Sequence, residues 1–143
     1  MRAAAMKFTM TAMIAMIGAP VAAAEAPDLI GTWTGTSRAV VAGSGGHYGE
    51  GGAALQFREV ELTVEWIEQK DGRYIGTITS AGHTEPKLGV LSSDGKMFVT
   101  ADLDGTSVGR IIDDDHFELC YTQTSTGSDH IIASCVDFER VKK

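Results

Sequence analysis

The fold of this chain follows from residues 116–140, "HFELCYTQTSTGSDHIIASCVDFER". Two residues at the centre of this stretch, Gly127-Ser128, suit the two-residue type II′ turn that joins antiparallel strands. With this turn, Cys120 lies opposite Cys135, and the large apolar side chains on both sides of the turn share one face. The stretch therefore predicts a β-hairpin in which the turn, the core face and the cysteine pair all require the same register.

The two cysteines, Cys120 and Cys135, are predicted to form a disulfide. Opposed Cβ atoms of antiparallel strands lie about 4.5–5.5 Å apart, which is near the separation that a disulfide requires. Two free buried thiols are the alternative. A bridge that closes a loop of about 15 residues contributes about 3 kcal/mol in the chain-entropy model. Since the chain has no C-x-x-C motif and no basic neighbour beside either cysteine, the predicted role is structural.

Short runs rich in Thr, Val, Ile, Phe and Tyr fill the rest of the chain after its N-terminal segment. Asp-Gly turns at 71–72, 94–95 and 104–105 separate several of them, which is typical of hairpins. The pattern predicts an all-β fold, a single antiparallel eight-stranded up-and-down barrel, because closure removes both exposed sheet edges. An open sandwich is the alternative, and the register across 96–112 stays open. The predicted strands are 29–41, 56–68, 73–81, 86–92, 96–102, 106–112, 116–124 and 130–141.

The N-terminal residues 1–24 have the pattern of a cleavable signal peptide. Arg2 and Lys7 precede an apolar run, and Ala22-Ala23-Ala24 provides the small-residue cleavage site before Glu25. The apolar run is shorter than the roughly 20 residues of a membrane-spanning helix, although an uncleaved anchor is the alternative. We therefore expect a single domain over 25–143, located in the periplasm or secreted, with no membrane insertion after cleavage.

The charge of the chain argues against nucleic-acid partners. The formal net charge is −7, and removal of residues 1–24 would lower it to −9 because that segment carries two basic residues and no acidic ones. The remaining basic residues form no stripe that would contact a phosphate backbone. An anionic membrane surface would also repel such a chain.

Strand one carries the motif Gly31-Thr32-Trp33, and Arg140 stands near the end of the last strand. This combination resembles the calycin group, which comprises lipocalins, avidins and fatty-acid-binding proteins. The resemblance implies a barrel in which Arg140 packs its guanidinium over the indole of Trp33, as a structural pair. The later tryptophans of the avidin biotin site have no counterpart, because the chain has two tryptophans in all.

The glycine-rich stretch "VVAGSGGHYGEGGA", residues 40–53, is the longest connection between predicted strands. Its glycine spacing does not match a nucleotide-binding loop, and a strand rather than a helix follows it. We expect a flap at the barrel mouth, with a plain connection as the alternative. His47 and Tyr48 in this stretch, with Trp66 and Tyr121 in the barrel interior, are the predicted ligand-binding residues.

The sequence shows no spacing that indicates catalytic or metal-binding residues. Asp102 and Asp104 resemble the opening of a calcium loop, but the closing glutamate is missing. The four histidines have no partner at metal-ligand spacing along the chain, and no catalytic triad or carboxylate pair is evident. No catalytic residue, metal ligand or cofactor is therefore predicted.

These observations favour an exported, non-catalytic barrel that binds a small apolar ligand in or at the mouth of the barrel. One alternative is an envelope protein-binding module with a filled core, such as an inhibitor or an assembly partner. A third hypothesis is a barrel enzyme of the isomerase or cyclase type.

Overall fold

The structure is a computed structural model that describes residues 26–43, 46–48, 54–124 and 130–142. Consecutive strands pair antiparallel, and β1 pairs with β8, so the sheet closes into an eight-stranded barrel. The predicted all-β barrel is confirmed. The strands are β1 (Gly31–Ala42), β2 (Gln56–Lys70), β3 (Arg73–Ser80), β4 (His83–Leu91), β5 (Phe98–Ala101), β6 (Thr106–Ile111), β7 (His116–Thr124) and β8 (Ile131–Arg140), and a 3₁₀ helix spans Gly46–Tyr48.

The predicted signal peptide, residues 1–24, lies outside the described residues and stays a prediction. Within the described part of the chain, no helix has the length and hydropathy to cross a membrane.

The β7–β8 hairpin has the predicted register. Cys120 is opposite Cys135, and the two form a disulfide on the exposed outer face of the barrel. Phe117 is opposite Phe138, and both are buried on the inner face. The predicted turn at Gly127-Ser128 lies outside the described residues.

Residues of β1 alternate between a buried inner face and an exposed outer face, and Trp33 is fully buried. Gly31 has a φ of 127°, a backbone conformation that favours glycine. At Gly35, a Cβ atom would lie 2.4 Å from the carbonyl oxygen of Asp137, so only glycine allows this close approach of β1 to β8.

The lower half of the barrel, near the β2–β3 turn and residues 26–30, holds the apolar core. Aromatic rings dominate it: Phe117 lies 4.8 Å from Trp33 and 4.9 Å from Phe138 between ring centroids. The predicted cation–π pair closes this end, since the Arg140 guanidinium lies 4.1 Å from the Trp33 ring centroid.

The upper half of the barrel, near the β3–β4 turn and the 3₁₀ helix, has a polar interior. A small apolar cluster around Ile132 and Tyr48 lies among these polar groups. The buried polar residues of the described part of the chain are Ser37, Ser80, Glu85, Lys87, Thr100, Ser107, Gln123, His130 and Ser134. The two halves of one barrel therefore differ sharply in chemistry.

Strand β4 begins at His83, earlier than the predicted start at residue 86. A two-residue turn, Ala81-Gly82, joins β3 to β4, with Gly82 at a φ of 92°. Pro86 suggests a strand end in the sequence because it lacks an N–H donor. In the barrel, β4 pairs with β5 only from Leu88 onward. Pro86 therefore lies where β4 pairs with β3 but not with β5.

Strands β5 and β6, whose register the sequence left open, pair through Val99 and Val108. Both are shorter than predicted. Asp102 follows β5, and its N–H donates to the Gly105 carbonyl in the predicted turn region. This turn holds the Asp102 side chain at the wall of the upper half.

Candidate functional site

The upper half contains a partly open cavity of about 30 Å³. This volume holds roughly two water molecules. Apolar side chains form its floor, namely Leu62, Ile78, Leu119, Val136 and Phe138. Polar side chains form its walls, namely His47, Tyr48, Lys87, Asp102, Ser107, Tyr121 and Ser134.

A buried ion pair lies in the wall of this cavity. The Lys87 Nζ atom is 2.9 Å from Asp102 Oδ2, and each side chain is 2% exposed. The other carboxylate oxygen, Asp102 Oδ1, accepts the Gly105 N–H at 2.9 Å, which ties the pair to the β5–β6 turn. The Lys87 ammonium also lies 5.6 Å from the Tyr121 ring centroid. Each charge therefore has an opposite charge and hydrogen bonds beside it, as buried charged groups in proteins require.

Tyr121 presents a neutral hydroxyl to this pair. Burial, and then the negative charge of Asp102, raise the pKa of Tyr121 far above its ordinary value. Its hydroxyl lies 3.4 Å from Asp102 Oδ1 and 3.3 Å from Gln123 Oε1, so either oxygen accepts its proton. Tyr121 therefore serves as a hydrogen-bond donor at neutral pH.

Tyr48 lines the cavity from the 3₁₀ helix at the top of the upper half. Its hydroxyl donates to Ser134 Oγ at 2.9 Å, and it therefore accepts the hydroxyl proton of Ser37 at 2.7 Å. All three residues are buried. Because Tyr48 belongs to the 3₁₀ helix and not to a strand, its displacement would break none of the barrel's strand-to-strand hydrogen bonds.

His47 lies beside Tyr48 and connects the 3₁₀ helix to the β3–β4 hairpin. Its Nδ1 is 2.8 Å from Ser80 Oγ, and its Nε2 is 2.9 Å from Glu85 Oε1. The His83 ring lies edge-on to the His47 ring, with 4.6 Å between centroids. His83 Nε2 is 4.0 Å from Glu85 Oε2.

The His47 imidazole is neutral near pH 7. Burial lowers the pKa of His47 below its ordinary value, and this effect exceeds the opposing hydrogen bond and charge of Glu85. With one ring proton, Nε2–H donates to Glu85 and Nδ1 accepts from the Ser80 hydroxyl. The Glu85 carboxylate is thus buried against a neutral ring.

Of the predicted ligand-binding residues, His47, Tyr48 and Tyr121 line the cavity together. The structure places Trp66 elsewhere, in the lower half, where its ring contacts Tyr74 and Phe98. Trp66 lies near the end of β2 that is farther from the cavity. The alternation of β2 predicts that Trp66 faces the barrel interior, but it does not predict the half of the barrel in which Trp66 lies. Its Nε1 has no hydrogen-bond partner among the described residues.

The charged residues of the site, Glu85, Lys87 and Asp102, are not among the ligand-binding residues predicted from the sequence. Glu85 and Lys87 alternate with exposed residues along β4, but the predicted strand begins at residue 86 and therefore leaves Glu85 out of this period-two pattern. The sequence showed Asp102 only as part of an incomplete calcium-loop pattern, whereas its side chain is 2% exposed and paired with Lys87.

Spacing along the chain indicates no metal-ligand partner for any histidine, and the fold adds a proximity that this spacing does not show. The structure brings His47, His83 and Glu85 together, with one potential ligand atom from each within 4.8 Å of the others. Spacing along the chain could not show this, because the 3₁₀ helix and the β3–β4 hairpin are distant in sequence. The other two histidines do not join this group.

The arrangement offers two kinds of chemistry. The cavity combines an apolar floor with an ammonium, a carboxylate and several hydroxyls, so it suits a small molecule with one apolar and one polar side. The imidazole and carboxylate group at its rim suits a cation. Comparison of this chain with models of protein families, with curated proteins and with solved structures finds no match.

Proposed function

We propose that this chain is an exported binding protein whose ligand is a small molecule with an apolar body and a polar group. The apolar body would lie on the cavity floor, and the polar group would contact Lys87, Asp102 and Tyr121. The sequence suggested an apolar ligand, and the floor agrees with that. The charged wall favours a polar group in addition.

The observation that carries the proposal is the buried ion pair of Lys87 and Asp102 at the cavity wall. Taking two charges out of water costs free energy, and well-packed apolar residues in their place are often neutral or stabilising. A barrel that served only as a scaffold would gain nothing from this pair. A polar wall beside a cavity is, by contrast, what specific recognition of a small molecule requires.

The small cavity volume means that most ligands would require a side chain to move before they bind. A molecule larger than about two waters must displace the Tyr48 side chain from the top of the cavity. We therefore expect Tyr48→Ala to enlarge the site and to tighten the binding of small amphipathic molecules. Ser107→Leu would instead fill the cavity, since Ser107 is buried in its wall.

The test is methyl NMR of the purified chain with three probes at millimolar concentration: butyrate, butylamine and butan-1-ol. Binding in the cavity shifts the methyl signals of its floor, such as Leu62, Ile78 and Leu119. Methyl groups of the outer face, such as Ile75 and Leu88, serve as internal controls because they are exposed. Floor methyls that respond to none of the probes, in the wild type and in Tyr48→Ala, would overturn the proposal.

A matched pair of variants locates the binding. Ser107→Leu fills the cavity, whereas Thr106→Leu adds the same side chain at the neighbouring, exposed position. We expect at least about tenfold weaker probe binding, or about 1.4 kcal/mol, for the first variant and an unchanged affinity for the second. Equal effects would place the binding outside the cavity.

Export is supported by two observations. The N-terminal pattern is that of a signal peptide, and the Cys120–Cys135 disulfide is typical of oxidising compartments. The Trp33–Arg140 contact supports the resemblance to the calycin group, whose barrels commonly enclose ligands. N-terminal sequencing of the protein recovered from the periplasm or the medium tests export, with a new N-terminus at Glu25 as the expected result.

A protein-binding module is the second candidate function, and an apolar band on the outer face favours it. Exposed side chains of neighbouring strands form this band: Ile75, Leu88, Val90 and Val108. Exposed apolar patches of this kind often mark protein contacts. Concentration-dependent association in sedimentation velocity, abolished by Leu88→Lys, would support a second copy of this chain as the partner.

A further inference from the structure

Three metal-binding side chains converge at the rim of the upper half. The 3₁₀ helix provides His47, and β4 provides His83 and Glu85 from alternate positions on one strand. Residues two apart on a strand face the same way, and the tight Ala81-Gly82 turn places Ser80 opposite His83. Backbone geometry therefore fixes most of this group.

The His83 side chain gives an independent sign of a missing partner. Its Nε2 atom is buried and has no hydrogen-bond partner among the described residues. This atom faces the Glu85 carboxylate at 4.0 Å, which is beyond a hydrogen bond. A buried polar atom without a partner calls for an explanation such as a bound ion.

The distances within the group are close to those between the ligand atoms of one metal ion. Donor atoms bound to one tetrahedral zinc lie about 3.3 Å apart, given bonds of about 2.0–2.2 Å. Glu85 Oε1 is 2.9 Å from His47 Nε2, and Glu85 Oε2 is 4.0 Å from His83 Nε2. Side-chain adjustments of under about 1 Å would bring these two contacts to the tetrahedral spacing.

Ser80 supports His47 in the way that metal-binding histidines are usually supported. A ligating imidazole commonly donates its second N–H to a neighbouring acceptor, which fixes the ring and its tautomer. Ser80 Oγ lies 2.8 Å from His47 Nδ1 and is nearly fully buried. Ser80 therefore holds the ring with Nε2 directed at Glu85.

The charge of the group also favours a cation. Glu85 has a side chain that is 3% exposed, and its ion-pair partners in the described part of the chain are two imidazoles. Lys87, the neighbouring ammonium on the same face of β4, is already paired with Asp102. A divalent ion would therefore compensate a buried carboxylate.

We propose that His47, His83 and Glu85 form a binding site for a divalent transition metal ion of the zinc type. Two imidazoles and one carboxylate are a ligand set that zinc accepts, and three protein ligands leave one position for water or for an exogenous ligand. On binding, Nε2 of His47 gives up its proton and Nδ1 takes one from solvent. The Ser80 hydroxyl then changes from donor to acceptor, so the ring stays neutral.

The experiment uses the purified chain without a polyhistidine tag, dialysed against EDTA. Titration calorimetry with Zn²⁺ should show one ion per chain, and Co²⁺ should give the visible absorption of a low-coordinate site. We expect His83→Gln and Glu85→Gln each to weaken Zn²⁺ binding at least about tenfold, and Ser80→Ala to weaken it about tenfold. His83→Gln carries the test if Glu85→Gln does not fold, because the His83 side chain is 41% exposed.

His116→Gln is the matched control. His116 Nδ1 also lies 2.8 Å from a carboxylate, that of Asp113, but this pair is exposed and lies at the opposite end of the barrel. We expect this variant to bind Zn²⁺ as the wild type does. Absence of binding in the wild type, equal affinity in the wild type and His83→Gln, or a matching loss in His116→Gln would each overturn the proposal.

The metal site does not depend on the organic ligand of the cavity. Zinc binding without any response of the cavity-floor methyls would retain the metal site and reject the cavity proposal. A response of the cavity-floor methyls to the probes without zinc binding would retain the cavity proposal and reject the metal site.

Discussion

One side chain, Arg140, holds the lower end of the barrel together. Its guanidinium lies over Trp33 and donates to three backbone carbonyls, those of Asp28, Ile30 and Asp114, at 2.7–3.0 Å. Lysine has a single ammonium and cannot reproduce this planar arrangement of donors. We expect Arg140→Lys to lower the free energy of unfolding by about 1–3 kcal/mol, measured by urea unfolding with tryptophan fluorescence.

The control for this substitution is Arg110→Lys. The Arg110 side chain is 67% exposed and pairs with Glu118 on the surface. Exposed ion pairs contribute little, so the change should stay within about 0.5 kcal/mol. Equal unfolding midpoints for the two variants would show that Arg140 does not close the barrel.

Ionisation of Tyr74 should lower the stability of the folded protein at alkaline pH. Its hydroxyl donates to the Pro27 carbonyl at 2.9 Å, and burial, then Asp28, raise its pKa from 10.0 to about 12. The folded state therefore favours the neutral phenol. This stabilisation is fully present below pH 10 and is lost as the pH rises through about 12.

The variant Tyr74→Phe tests this assignment. It loses one hydrogen bond, so near neutral pH it should be less stable than the wild type by about 1 kcal/mol. Because phenylalanine does not ionise, the advantage of the wild type should disappear between pH 10 and 12. Urea unfolding across this range measures the difference, and a constant difference at every pH would contradict the assignment.

The β7–β8 hairpin contributes stability through its covalent link. The disulfide joins Cys120 and Cys135, which are 15 residues apart, on the exposed face. Its removal creates no cavity, so the effect should arise mainly from the unfolded chain and amount to about 3 kcal/mol. We expect this loss in urea unfolding of the double variant Cys120→Ser, Cys135→Ser. Added reductant should lower the wild-type midpoint and leave that of the double variant unchanged; any other pattern contradicts a structural disulfide.

This hairpin was predictable in full register because three independent constraints coincide in it. The turn pair, the apolar alternation and the cysteines each select the same pairing, so no competing register satisfies them.

Strand β4 shows the opposite case. Pro86 and the inward-facing Glu85 and Lys87 all weaken the strand pattern. Pro86 is tolerated because β4 pairs with β5 only from Leu88 onward, and the two charged side chains are tolerated because Asp102 and His47 are their partners.

The barrel as a whole separates an apolar lower half from a polar upper half, and this division limits what the sequence could predict. An inner-face position is read from alternation, but the depth of that position in the barrel depends on strand stagger. Trp66 and Tyr121 were both assigned to the interior, yet they lie in different halves. The charged wall was missed because buried Lys and Asp are rare, and their pairing depends on a contact between β4 and the β5–β6 turn.

The ion pair of that wall should contribute little net stability relative to an uncharged replacement of both residues. Lys87→Met alone leaves Asp102 buried and unpaired, so we expect a loss of about 3–5 kcal/mol. Asp102→Asn keeps the oxygen that accepts the Gly105 N–H, and in the double variant it faces a methionine instead of an ammonium. Because no buried charge then remains in the pair, the double variant should recover most of the stability. It should bind the cavity probes at least about tenfold more weakly than the wild type.

A double-mutant cycle in urea, with the methyl NMR titration on each protein, measures both quantities. Recovery of stability without loss of binding would mean that the charges serve neither the ligand nor the fold, and additive losses of stability would mean that Lys87 and Asp102 do not stabilise each other.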